Sequence, residues 1–157
     1  MIDTRRSSVS AILDASLLVL LVVGSVREDL ILKHKRTKSF TVQDYRYLID
    51  ALAQVQRVVV TPNVLTEASN LLRQHRDPEK SKLVEKLREL IEGAEEKFIK
   101  SSDASTAATF GRLGLTDTTL LQLASNEIPL ITTDLDLYLE ALKKGETAAF
   151  NFNHLRA

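Results

Sequence analysis

The run from Val9 to Val23 is apolar except for two serines and a single acid, Asp14, set in its middle. An ionised carboxylate is costly to bury unless something pairs with it, so this stretch restricts the fold more than any other. Two readings compete for it. In the first, Ser10–Leu13 is a buried parallel strand, Asp14 sits at its carboxyl end, and Ser16 opens a helix to about Ser25. Asp14 then lies where open α/β sheets bind ligands, beyond the carboxyl ends of their strands. In the second, Arg5 and Arg6, the apolar core and the small residues Gly24 and Ser25 form an export signal of twin-arginine type. An acid inside the apolar core argues against export, and the run is shorter than the roughly 20 residues of a membrane span. The strand–helix reading is the one adopted.

The remainder of the chain alternates in the same way. After a basic stretch, Lys33, Lys35, Arg36 and Lys38, positions 41–56 carry Val42, Tyr45, Leu48, Ile49, Leu52 and Val55 at helical spacing. Thr41 and Asp44 are spaced as a capping box at its start. Residues 57–61 are a β-branched run ended by Pro62, a short buried strand. Asn63 is placed to cap a helix over 64–75 that carries Glu67, and residues 80–93 read as a charged surface helix. A short strand is expected at 97–100, a helix from 101–103 to about Phe110, and a further helix from 114–117 to about Asn126. Residues 129–133 form a strand, Asp134 begins a helix stopped by Gly145, and 148–152 is a last strand. Alternating strand and helix imply an α/β fold with a mostly parallel central sheet. At 157 residues, with a leader at 1–8 and no internal linker, the organisation expected is one domain over 9–157.

Composition excludes several functions. There is no cysteine, so neither a disulfide framework nor a thiolate zinc site is available. Lys+Arg and Asp+Glu number 21 each, so a polyanionic partner must be met by local clustering. His34, His75 and His154 are too scattered for a zinc site. Serine-hydrolase and phosphate-loop motifs are absent. A cytoplasmic, non-membrane domain is the expectation.

The acids are the chemistry that remains. On this map Asp14 follows the first strand, Glu67 lies in the helix after the second, Asp117 opens a helix, and Asp134 follows a later strand. Each has an ordinary explanation: Asp117 and Asp134 suit a helix first turn, Asp136 likewise, and Glu67 suits a solvated face. Asp14 has the poorest one, because Ser16 would serve as the cap. Jointly, all four fall on one rim of the sheet.

In four blocks the sequence resembles the PIN-domain nucleases: 12–18 (ILDASLL), 61–72 (TPNVLTEASNLL), 113–121 (LGLTDTTLL) and 129–137 (PLITTDLDL). They match the family's four acidic blocks in order, across about residues 11–152. The resemblance implies a three-layer α/β/α fold and a metal-dependent ribonuclease site at Asp14, Glu67, Asp117 and Asp134. It also implies Mg²⁺ or Mn²⁺ as cofactor and RNA as substrate. Many relatives are toxins of the VapC type held by a cognate antitoxin, and homodimers are expected by analogy. The chain departs from the pattern at Ser16, where the family often has Asn, and at Leu137, where an aromatic is common.

Carboxylate oxygens suit these hard cations, which activate water and neutralise phosphate charge. By resemblance Asp14, Asp117 and Asp134 ligate metal, directly or through water. Glu67 holds a second ion or orients the attacking water. Ser16, Thr132 and Thr133 support them from behind. Arg73 and Arg76, following Glu67 along one helix, or Lys33, Lys35, Arg36 and Lys38, would meet the RNA. Two other classes compete. One is a catalytically silent PIN-like interaction module using 41–56 and 80–92. The other is an aspartate phosphatase, disfavoured because Asp14 lacks a second Asp two residues on.

Overall fold

The apolar run divides at Asp14. Before it, Ser10–Leu13 forms β1, buried along its whole length; after it, Ala15–Val26 forms α1. The structure, a computed structural model, describes residues 9–156, so the expected leader at 1–8 lies outside the described residues. β1 is a central strand, parallel to β2 (Arg57–Val60) on one side and to β4 (Leu130–Thr132) on the other. A strand covered on both faces reads as continuous apolar sequence, which explains Ala11, Ile12 and Leu13. α1 is buried almost all round, against α2 (Val42–Leu52), α3 (Pro62–Leu72) and α4 (Glu79–Gly93). Such a helix belongs to a protein core. Among the described residues no helix is long and apolar enough to cross a membrane. Gly24 has a packing role: a Cβ there would collide with the Tyr45 ring of α2.

β3 (Glu95–Glu96) and β5 (Ala149–Asn151) complete a five-stranded sheet of order β3-β2-β1-β4-β5, every pairing parallel. With α5 (Ser101–Ala104), α6 (Phe110–Leu123), α7 (Leu135–Leu142) and α8 (Asn153–Arg156), the helices pack around this sheet as a three-layer α/β/α fold. The chain steps from β1 outward to β2 and β3, then returns to β4 on the other side of β1. The carboxyl ends of β1 and β4 therefore flank the topological switch point, where sheets of this kind bind ligands.

Several expected elements shift. The capping box forms as expected: the Asp44 amide donates to Thr41 Oγ1 (3.0 Å) and the Thr41 amide to Asp44 Oδ2 (2.8 Å). α2 ends at Leu52, followed by a turn. α3 is capped by Thr61 rather than Asn63, with Pro62 at the first helical position, where its missing N–H costs nothing. The third strand lies at Glu95–Glu96, not 97–100, and the helix expected to reach Phe110 is a single turn. α6 begins at Phe110 but breaks at Gly114, whose φ of 85° only glycine adopts easily. The helix expected from 114–117 is the segment after that break.

Candidate functional site

Asp14 ends β1 with only 7% of its surface exposed. One oxygen, Oδ1, accepts the Leu17 amide at 2.9 Å and so caps α1. The other, Oδ2, accepts the Thr132 hydroxyl at 2.5 Å and the Thr133 amide at 3.3 Å. The cap is therefore Asp14 itself and the helix starts at Ala15, which corrects the sequence expectation that Ser16 would do this work. Part of the reason for an acid here is local. Burial raises the Asp14 pKa, these three hydrogen bonds pull it down, and the charge of Asp134 raises it further.

Thr132 joins the two strand ends. Its hydroxyl donates to Asp14 and accepts the Asp134 amide at 3.0 Å. Asp134 in turn caps α7 by accepting the Leu137 amide at 3.1 Å. A second hydroxyl relay positions the other two acids. Thr61 Oγ1 accepts the Val64 amide and lies 3.3 Å from Thr119 Oγ1, which donates to the Thr116 carbonyl at 2.7 Å. That relay pins the start of α3, with Glu67, to the segment of α6 carrying Asp117.

The result is a cavity of about 310 Å³ walled by Asp14, Glu67, Asp117 and Asp134, with Ala15, Ser16, Thr133 and Leu137. All four acids named from sequence line it, and Ser16 and Thr133 do as well; among the described residues no Lys, Arg or His is on its wall. Asp117 is pushed up to about 6, first by burial, then by the charges of Asp134, Asp14 and Glu67. Among the described residues its carboxylate makes no hydrogen bond or ion pair. Asp136 is accounted for separately, paired with Arg112, which also reaches Glu140 at 2.7 Å.

The acceptor capacity of the cavity is uneven. A carboxylate offers about four lone-pair directions. Among the described residues Asp14 has one left on Oδ1, whereas Asp117 and Glu67 have all of theirs and Asp134 most. No three or more His, Asp or Glu side chains among the described residues are grouped so as to hold a metal ion between them. The donor chemistry fits a hard divalent cation all the same, because Mg²⁺ retains several waters and is commonly held by few direct carboxylates. Unpaired like charges around one space are what such an ion would compensate.

The basic residues do not join this cavity. Lys33, Lys35, Arg73 and Arg76 gather around a separate hollow of about 680 Å³ with Gln74, His75, Asp77 and Glu79. α3 ends at Leu72, so Arg73 is its carboxyl-terminal cap and Arg76 lies beyond the helix. The sequence expectation that both follow Glu67 on one helix is corrected to that extent. At 1.5 Å per residue, Arg73 is roughly 9 Å further along the axis than Glu67. Arg36 donates from Nε to Gln74 (2.6 Å), and Lys38 lines neither cavity.

Sequence reasoning passed over an open hollow of about 390 Å³ that shares Glu67 with the acidic cavity. It is lined by Pro62, Asn63, Thr66, Asn70 and Thr116. The spacing of Asn63, Thr66, Glu67 and Asn70 by threes and fours, one stripe of a helix, was the available signal. An apolar hollow of about 430 Å³, with Ile131, Phe150 and Leu155 on its wall, carries no acid. No protein-family model matches this chain, and no curated protein matches it.

Proposed function

We propose that this chain is a metal-dependent ribonuclease of the PIN-domain type, hydrolysing RNA phosphodiesters with Mg²⁺ or Mn²⁺ held among Asp14, Glu67, Asp117 and Asp134. The observation that carries the reading is Asp117: a partly buried carboxylate without a partner among the described residues, raised to about 6 by burial and by three other acids around one cavity. A bound divalent ion would neutralise that charge, polarise a phosphoryl oxygen and supply an activated water. Asp117 and Asp134 offer it the most open carboxylate oxygens. Asp14, held on both oxygens by Leu17, Thr132 and Thr133, keeps the geometry fixed and offers one remaining position. Glu67, exposed and unpartnered among the described residues, is the group available to orient an attacking water and accept its proton.

A cytoplasmic toxin neutralised by a cognate antitoxin, and a homodimer, are narrower forms of the same proposal. The second reading is a catalytically silent PIN-like module whose α2 and α4 bind a protein partner. Ser16 in place of an amide favours it, as does the absence, among the described residues, of three or more His, Asp or Glu side chains grouped to hold a metal ion. Cleavage of RNA with Mn²⁺ by the wild type, Asp14→Asn and Asp117→Asn separates the two. The ribonuclease reading expects Mn²⁺-dependent cleavage in the wild type that both substitutions abolish. Folded wild type that leaves RNA intact across a panel of substrates supports the silent module instead.

A further inference from the structure

We infer that the cavity walled by Lys33, Lys35, Arg73 and Arg76 is a second, independent site that binds the phosphodiester backbone of single-stranded nucleic acid. Its cations come from two segments about forty positions apart, in a chain with formal net charge zero. What holds the segments together is His34, fully buried between them. Its Nδ1 accepts the Arg36 amide at 3.0 Å, which leaves Nε2 to donate to the Leu72 carbonyl at 3.2 Å. The ring stacks on His75 with centroids 5.1 Å apart and planes 12° from parallel. Arg36 reaches Gln74, and the Thr37 hydroxyl donates to the Ile31 carbonyl at 2.7 Å. The backbone under the cations is therefore fixed, while their charged heads face an open hollow.

The charge balance of this hollow is positive. Among the described residues Lys35, Arg73 and Arg76 form no ion pair, and Lys33 meets Asp29 at 3.2 Å on an exposed rim. The two acids on the wall leave a net excess of two positive charges, and each has a partner of its own, although the charge of Arg73 also acts on Asp77. Asp77 accepts the Ser81 amide (2.9 Å) and hydroxyl (2.6 Å), and Glu79 faces Arg27 at 3.9 Å. Two guanidinium forks and two ammonium groups spread around an open hollow of about 680 Å³ match successive phosphates better than a single small anion. The choice of RNA over DNA rests on the ribonuclease reading; the site itself does not. A strand laid from the acidic cavity along α3 would reach Arg73 within a few nucleotides.

The test is fluorescence anisotropy of a labelled single-stranded RNA of about twenty nucleotides, in EDTA so that cleavage plays no part. Wild type is compared with Lys35→Ala/Arg73→Ala/Arg76→Ala, and with Arg73→Ala and Arg76→Ala singly should the triple variant melt early. At low salt the triple variant should bind about tenfold or more weakly, with the slope of log affinity against log salt shallower by about 2. Asp117→Asn should bind no less tightly than wild type. Equal affinity and slope in wild type and the basic variants overturns the site, as does wild type that binds pyrophosphate or an acidic peptide but not RNA. A protein that binds RNA in this way yet never cleaves it leaves the cavity standing and sinks the ribonuclease reading.

Discussion

In the acidic cavity four carboxylates from four elements line about 310 Å³ with, among the described residues, no cationic side chain on the wall. In the basic cavity, at the far end of α3, four cations share the wall with Asp77 and Glu79 and sit on a rigid histidine-centred platform. The first concentrates like charge where burial makes it expensive; the second spreads opposite charge over an open surface where water screens it. Stability should therefore respond to charge removal in one cavity and hardly at all in the other.

The comparison breaks most visibly in activity. Asp117→Asn and Asp14→Asn should lower Mn²⁺-dependent RNA cleavage by about a hundredfold or more. The basic triple substitution should act through substrate affinity and leave turnover at saturating RNA near wild type; steady-state kinetics reads the split. Next is linkage. At about a hundred times its dissociation constant, Mg²⁺ or Mn²⁺ should add about 2.7 kcal/mol, raising the melting temperature of a chain this long by about 5–10 °C. Asp14→Asn should shrink that shift and the basic triple variant should keep it, as thermal melts would show. Third, Thr132→Val strips Asp14 of a donor and the Asp134 amide of an acceptor. It should cost about 1–3 kcal/mol in urea unfolding, while Thr132→Ser should recover most of the loss.

The smallest effect sharpens the contrast in sign. Asp117 is raised in the folded state from 3.8 to about 6. Folding therefore favours its protonated form, and the associated stability is complete below the unfolded pKa and lost as pH climbs through about 6. Allowing for partial exposure, metal-free Asp117→Asn should be about 1–2 kcal/mol more stable than wild type at pH 7.5 and indistinguishable from it near pH 3.5. Arg73→Ala should show neither effect.

What the sequence made legible follows from what each feature depends on. β1, β2 and β4 are apolar because the centre of a parallel sheet is covered on both faces, and that pattern shows in Ala11–Leu13, Val58–Val60 and Leu130–Ile131. β3 was expected at 97–100, a little too late, because the two edge glutamates that pair with β2 carry no apolar signature. The meeting of the four acids was legible because strand ends and helix starts in such folds converge on one rim. The partners of Asp14 were not: Thr132 lies 118 positions away, and only the register of β1 against β4 brings its hydroxyl within reach. Capping by Asp14 was missed because Ser16 is an equally good cap by residue type, and a two-residue change in helix start decides between them. The joining of Lys33 and Lys35 with Arg73 and Arg76 depends on a buried histidine whose role no local pattern reveals.

Direct binding of Mn²⁺ to metal-free protein, followed by loss of the free ion's paramagnetic resonance signal, goes to the centre of this account. Saturable binding in the wild type, at least about tenfold weaker in Asp117→Asn and unchanged in the Lys35, Arg73 and Arg76 triple variant, is the result it predicts. No saturable uptake at millimolar Mn²⁺, or equal uptake by wild type and Asp117→Asn, would contradict it.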